Sequence, residues 1–525
     1  MSGTRRAAML EEARAARARG DLDLAVRRCE AVLAEAPDDL EAVYLLGAIQ
    51  AQRGADEAAL RCFERVLERE PCRAEAWNAR GVLLERHGAL AEAEHCYARA
   101  IGCAPRAPTP RYNLGRMLLG QGRAREAHAL LEEAARLDPR GLPPLLMLAS
   151  ACHRLGDLEG MRAALERAHR LAPADPTVLR RLGDCARHRG EAEEAVRWYG
   201  QALAVAPDDA VTRWNRALML LALGRWREAW PDYELGLELG ERRVAPLPGI
   251  PRWDGSPAGR LLVQWEQGYG DTIQFARLLP EARRRVAHLT FHCQPELAAL
   301  LARSLPGCTV VSGRVPPPGP WDAAVPLLSL PGVLGLAPDL IPGGVPYLWP
   351  DPERVASWRA RLAAREGATR HVGIVWSGNP AFRANGDRSS GLAAFGALAG
   401  VEGVRFHALQ KGPAEAELAS PPPGLAVTPL GPSLRGFDDT AAAICALDLV
   451  VTVDTAVAHL AGALGRPVWI LLCHSPDWRW GTAGERTAWY PTARLFRQPR
   501  RGDWAAVFRE VRASLEGWRQ ETEAA

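Results

Sequence analysis

Small, apolar and helix-stopping positions recur at one fixed step through residues 6–243. Gly20, Gly54, Gly88, Gly122, Gly156, Gly190 and Gly224 are each 34 residues apart, and Pro37, Pro71, Pro105, Pro139, Pro173 and Pro207 keep the same step. Between them return a small residue (Gly47, Gly81, Gly115, Ala149, Gly183, Ala217) and an alanine (Ala25, Ala59, Ala93, Ala127, Ala195, Ala229), with Met161 the exception. A large residue follows four positions later, as Phe63, Tyr97, Leu131, Leu165, Tyr199 and Tyr233. Small residues let two antiparallel helices approach closely, the glycine occupies the turn between them, and the proline stops the second helix. About seven stacked helix pairs are predicted, a right-handed solenoid with a concave groove suited to a peptide or protein.

Residues 244–259 are rich in proline and glycine and carry no period, which marks a linker. The pattern then changes to short apolar runs alternating with helical segments. Strands are predicted at Leu261–Trp265, His288–Cys293, Thr309–Val311 and Ala323–Pro326, with a loop at Glu266–Asp271 and a helix at Thr272–Arg285. A connecting helix is expected over Asp351–Arg365, and further strands follow from His371 and over Phe406–Gln410. Helices are expected over Thr440–Leu447 and Gly502–Trp518. The predicted fold class is α plus α/β, an all-α solenoid followed by two Rossmann-like halves at 260–366 and 367–520.

The most telling stretch is Leu447–Leu472. Leu449–Val453 reads as a strand buried on both faces, Ala456–Leu464 as a tightly packed helix ended by Gly465, and Val468–Leu472 as a second strand. In such a β-α-β unit the first amides of the helix stand at the carboxyl end of a strand. Together with the positive end of the helix dipole they make an anion site, here around Asp454, Thr455 and Ala456. A plain helix cap satisfies Asp454-Thr455 equally well.

Composition narrows the classes. A formal charge of +3 over 525 residues gives no electrostatic support for nucleic-acid binding. No run approaches a membrane span and residues 1–20 lack the apolar core of a signal peptide, so a cytoplasmic chain is expected. Eleven scattered cysteines without a CxxC pair predict reduced thiols. His288, His292 and Cys293 make a poor zinc set and read as packing residues, so no metal site is expected. Among 65 basic residues only Lys411 is lysine. A compact ammonium at that position is one explanation and coincidence is the other.

The segments EQGYGDTIQFARLLP, VGIVWSGNP, NGDRSS, HALQKG, LDLVVTVDTAVAHLAGALGRPVW and DWRW…WYP…RLFRQP, together with the repeats, resemble the bacterial tetratricopeptide-repeat (TPR) glycosyltransferases. Their catalytic region is similar to the heptosyltransferase family, and the resemblance implies a two-domain GT-B fold. It implies a nucleotide-activated sugar as donor substrate, with no separate cofactor. It also suggests a protein acceptor recruited by the repeats, with flagellin the suggested example.

Sugar transfer requires a stabilised leaving diphosphate and a deprotonated acceptor hydroxyl. The resemblance places the donor phosphates among Lys411, Arg388, Asp454, Thr455 and Ala456, with Gly378, Asn379, Gln410 and His459 near them. His459, one helical turn after Thr455, is read as a possible binding group or a packing residue. The resemblance makes Asp271 the general base, with Glu266 as a second candidate, while Asp271-x-x-Gln274 also fits a capping box. Gly268, Gly270 and Gly378 either permit close backbone approach to ligand or serve as ordinary turns. Trp376, Trp478 and Trp480 are candidates for stacking on a base or sugar as well as for the core. With no Asp-x-Asp pair in residues 244–525, a metal-independent, inverting displacement is expected. Ser389-Ser390-Gly391 after Arg388 departs from the family's more basic pattern. The alternative is a non-catalytic TPR scaffold with a degenerate glycosyltransferase-like region.

Overall fold

A computed structural model describes residues 3–342, 344–363, 370–382 and 385–523. The chain divides into two compact units, Met1–Cys185 and Ala186–Ala525. The expected boundary between the two α/β halves and the end of the connecting helix at Arg365 lie outside the described residues.

The first unit is a run of antiparallel helix pairs, beginning with Gly3–Ala18 and Leu22–Glu35 and continuing through Leu142–Leu155 and Leu158–Leu171. The repeated glycines do what the period requires: Gly54 and Gly88 turn with φ of 80° and 76°, in the left-handed region that side chains disfavour. The small residues set the packing distance. A Cβ on Gly81 would lie 2.8 Å from Cε1 of Tyr97, sixteen positions on, and one on Gly115 would lie 2.7 Å from Cγ of Leu131. Each aromatic or leucine thus fills the notch that a missing side chain leaves. The expectation of uniformly reduced thiols is corrected at one place. Cys72 and Cys103 form a disulfide with Cα atoms 5.1 Å apart, because Cys72 follows the helix Asp56–Arg69 and Cys103 ends the helix Leu90–Cys103 at the same rim.

The second unit holds ten strands among its described residues, all in parallel pairs. In chain order they are β1 (Ala258–Gln264), β2 (Val286–Cys293), β3 (Thr309–Ser312), β4 (Ala323–Pro326), β5 (Arg370–Val375), β6 (Val404–Ala408), β7 (Val427–Pro429), β8 (Leu449–Val453), β9 (Val468–Leu472) and β10 (Ala493–Arg497). They form one sheet ordered β3-β2-β1-β4 and another ordered β10-β9-β8-β5-β6-β7. Both orders reverse direction beside their first strand, between β1 and β4 and between β5 and β8. In open parallel sheets such a switch point leaves a crevice at the strand carboxyl ends.

The two sheets share an apolar core that also takes in the last repeat. Trp214, Trp226, Trp230 and Tyr233 are buried in the same cluster as Leu261, Val263, Leu460 and Ile470. Trp226 stacks on Trp489 with centroids 5.1 Å apart, and the indole of Trp230 donates to the carbonyl of Leu336 at 2.8 Å. The linker is laid against β4, where the amide of Trp253 donates to the carbonyl of Ala324. The expected helix at Thr272–Arg285 starts earlier and is interrupted, running as Tyr269–Phe275, a 3-10 turn Ala276–Leu278, and Leu279–Arg283. Asp271 is therefore inside a first helical turn rather than in a loop.

Candidate functional site

The loops after β1, β5 and β8 converge at the switch points. The helix Tyr269–Phe275, following β1, packs on the helix Ala456–Ala463, following β8. Gly270 makes this approach possible: a Cβ there would lie 2.9 Å from Cδ2 of His459 and 3.5 Å from Cα of Ala456. The sequence offered ligand approach as one use of Gly270, and the structure uses it for helix–helix contact. Asp271, one residue on, thus stands beside the turn that carries Asp454 and Thr455.

Asp271 is the third residue of its helix, and its Oδ2 accepts from the amide of its N-cap, Gly268, at 2.9 Å. The capping expectation is corrected in detail, since Asp271 reaches back to the cap instead of being the cap. Its Oδ1 accepts from Nη2 of Arg479 at 2.5 Å, and the side chain keeps 22% exposure. Glu266 is fully enclosed, with Arg242 donating to both its oxygens at 2.8 and 3.0 Å and the amide of Leu328 donating to Oε1 at 2.9 Å. A carboxylate committed to three donors and shut from solvent is a structural pin, which removes it as a second base.

Thr455 is the N-cap of the helix Ala456–Ala463, yet among the described residues no side chain caps that helix. The threonine hydroxyl instead meets that of Thr452 at 3.0 Å. The plain-cap reading is therefore not realised; the amide of Ala458 donates to the carbonyl of Thr455 at 3.0 Å, and those of Ala456 and Val457 keep their capacity for an anion. Asp454 beside them is half-buried, and its carboxyl is pushed up to about 6, first by burial and then by the neighbouring charge of Asp477, against the pull of Arg388.

Arg388 ends the short helix Asn385–Arg388, its guanidinium 4.3 Å from the centre of the Phe382 ring and its buried Nε without a hydrogen-bond partner among the described residues. A Cβ on Gly378 would lie 2.8 Å from Nη2 of Arg388, so the glycine makes room for the arginine. Ser389, where the family pattern led us to expect more basic character, accepts from the amide of Gly378 at 3.3 Å. Asn379 Oδ1 accepts from the amide of Ala381 at 3.0 Å and shapes the same turn.

Several sequence candidates have other tasks. Gln410 is buried, its Oε1 accepting from the amides of Trp376 and Ser377 at 3.1 and 3.0 Å, which staples the ends of β5 and β6. Lys411 donates to the carbonyl of Gly431 at 2.8 Å. That carbonyl lies beyond β7, so the ammonium is turned toward β7 and away from β8, contrary to the expectation. His459 is buried, with Nδ1 2.9 Å from the hydroxyl of Tyr490 and its ring stacked on Trp480. Burial first, then Arg479 and Arg388, hold it down to about 3, so the imidazole is neutral and packed here. Trp376, Trp478 and Trp480 are likewise core residues, 0%, 6% and 2% exposed, and present no face to a base or sugar. His292 donates through Nε2 to the carbonyl of Gly313 at 3.0 Å, as a packing role predicts.

Two residues that sequence reasoning passed over complete the site, Asp477 and Arg479. The Asp477-Trp-Arg-Trp run drew attention to its tryptophans, while the arginine between them reaches a carboxylate 208 positions away. Asp477 accepts from both the amide and Nη1 of Arg479, at 3.0 and 2.8 Å.

Residues 413–498, which include the Asp454 turn, Asp477 and Arg479, match the model of glycosyltransferase family 9 (heptosyltransferase). Tetratricopeptide-repeat models match residues 16–83, 142–185 and 178–211. The chain joins TPR repeats to a heptosyltransferase-type segment. Asp271, Arg388 and Lys411 lie outside the matched stretch of the glycosyltransferase model. A curated relative, protein FlbA of Caulobacter vibrioides, is 33% identical over 356 residues, 62% of this chain, and the chain spans 57% of that relative's length. Among solved structures, the TPR protein YrrB, described with an unusual peptide-binding site, is 16% identical, covering 35% of this chain and 95% of YrrB with a TM-score of 0.32. PilF of Pseudomonas aeruginosa is 23% identical over 38% of this chain and 90% of its own, with a TM-score of 0.34. Among the described residues no helix is long and apolar enough to cross a membrane.

Proposed function

We propose that the second unit is a GT-B glycosyltransferase that moves a sugar from a nucleotide-activated donor to an acceptor hydroxyl. The observation that carries this reading is the seating of Asp271 beside the uncapped helix start at Thr455–Ala456, with Gly270 in contact between them. The helix amides and Arg388 would hold the donor diphosphate. The acceptor oxygen would attack the anomeric carbon as its proton passes to the carboxylate of Asp271. The carbon–oxygen bond to the diphosphate would break, the electron pair leaving with the phosphate and inverting the centre. This needs no metal and no cofactor besides the donor. The repeats would bring a protein acceptor, flagellin being the one the resemblance suggests, and a cytoplasmic site of action accords with a nucleotide-sugar donor.

A panel of nucleotide sugars screened by thermal shift identifies the donor, because a ligand bound to the native state raises the melting point by mass action. Transfer of labelled sugar to protein, present in the wild type and lost in Asp271→Asn, tests the assignment of the base. One observation favours the second reading, a non-catalytic scaffold: both Asp271 oxygens are already hydrogen-bonded. Nucleotide binding with no transfer under any donor would select it.

A further inference from the structure

The segment 266–271 is held at both ends by arginines, Arg242 resting on the last repeat directly and Arg479 through Trp478. At its start Arg242 pairs with Glu266 while its guanidinium lies 4.7 Å from the ring centre of Tyr233. At its end Arg479 bridges Asp477 and Asp271, its guanidinium 5.0 Å from the Trp478 ring and 5.4 Å from that of Phe275. Trp478 in turn meets Trp226 and Trp230 edge-on at 6.0 Å each and Tyr233 at 6.2 Å. The Arg479 side chain is 10% exposed, and its planar guanidinium serves two carboxylates at once, which one ammonium could not do in the same orientation.

We propose that Arg479, backed through Trp478 by the aromatic residues of the last repeat, is the positioning residue for Asp271, so that this last repeat forms a structural part of the acceptor-activating site. This rests on the glycosyltransferase reading above. Arg479 touches no reacting atom. It fixes the plane of the Asp271 carboxylate through Oδ1, as Gly268 does through Oδ2, and leaves the partly exposed edge to the acceptor. Its contribution should therefore appear in turnover and not in donor binding.

The test uses the full-length protein, labelled sugar nucleotide, and an extract of a strain lacking the gene as acceptor. Arg479→Ala should lower kcat by about 100-fold with the donor KM within about twofold, the scale expected when a reacting group is misplaced by an ångström. Added guanidinium ion should restore part of that loss, as no general loosening of the fold would allow. Arg479→Lys, which keeps charge and stem and guards against a misfolded alanine variant, should fall between the two. Undiminished kcat in Arg479→Lys and Arg479→Ala, or a loss confined to donor KM, overturns the proposal while leaving the transferase reading intact. Full activity in Asp271→Asn overturns the reading itself and the proposal with it.

Discussion

Gly270 and His459 touch across the two α/β layers, so closely that a Cβ on the glycine would lie 2.9 Å from the imidazole Cδ2. The contact joins the helix that bears Asp271 to the one that begins at Ala456. Its tightness explains why the ring of His459 is dry and neutral.

Gly270→Ala should push these two helices apart. Overpacking of this kind costs about 1–3 kcal/mol, and displacement of Asp271 should lower sugar transfer by about tenfold or more. Gly517→Ala, where a Cβ meets nothing within 4 Å inside the helix Trp504–Glu523, is the control and should leave transfer unchanged while raising the melting temperature slightly, since alanine is favoured over glycine there by about 1 kcal/mol.

Removing one partner of the Arg242–Glu266 pair should be more damaging than removing both. The side chains are 1% and 0% exposed. Arg242→Met strands a carboxylate in the core and should lose about 3–5 kcal/mol in denaturant unfolding. The double change Arg242→Met with Glu266→Leu should recover much of that loss. Equal destabilisation in the two proteins would contradict the pin described for Glu266.

Acid should destabilise the second unit partly through His459. Its folded value is about 3 and its ordinary value 6.5, so the unfolded chain binds the proton first. The stability this ring contributes is complete above 6.5 and is lost as pH falls toward 3. Between pH ~7.5 and ~5 the wild type should lose more denaturant resistance than His459→Gln, a comparison that follows from the linkage of protons to folding.

Asp454 has the opposite displacement, from 3.8 to about 6. A diphosphate bound beside it should favour its protonated form further, because two anions so placed repel. Calorimetry near pH 6 in buffers of different ionisation enthalpy should show proton uptake on nucleoside diphosphate binding. The uptake should shrink in Asp454→Asn, and equal uptake in both would argue that the phosphates lie elsewhere.

The repeats were readable because each unit restates one local rule: glycine to turn, a small residue to be approached, a large one to approach it. β8 and β9 were readable because a strand covered on both faces is a continuous apolar run. β7 and β10 escaped for the converse reason. β7 is three residues long and ends in Pro429, and β10 carries Arg494 and Arg497, which disguise its apolar faces. Only the fold shows that Arg497 spends its charge on the carbonyls of Trp480 and Gly481 and that Arg494 covers Trp469.

By itself the sequence determined the succession of solenoid and parallel α/β layers, and the turn where a strand gives way to a helix at Asp454-Thr455. These depend on spacing between near neighbours, which the chain displays directly. Tertiary structure alone decided which of the candidate groups remain open to a ligand. Asp271 and Glu266 look alike five positions apart, yet one meets Arg479 at a partly open edge and the other is enclosed with Arg242. A carboxylate's role follows from the water it loses and the partners it gains, and those partners come from 208 and 24 residues away.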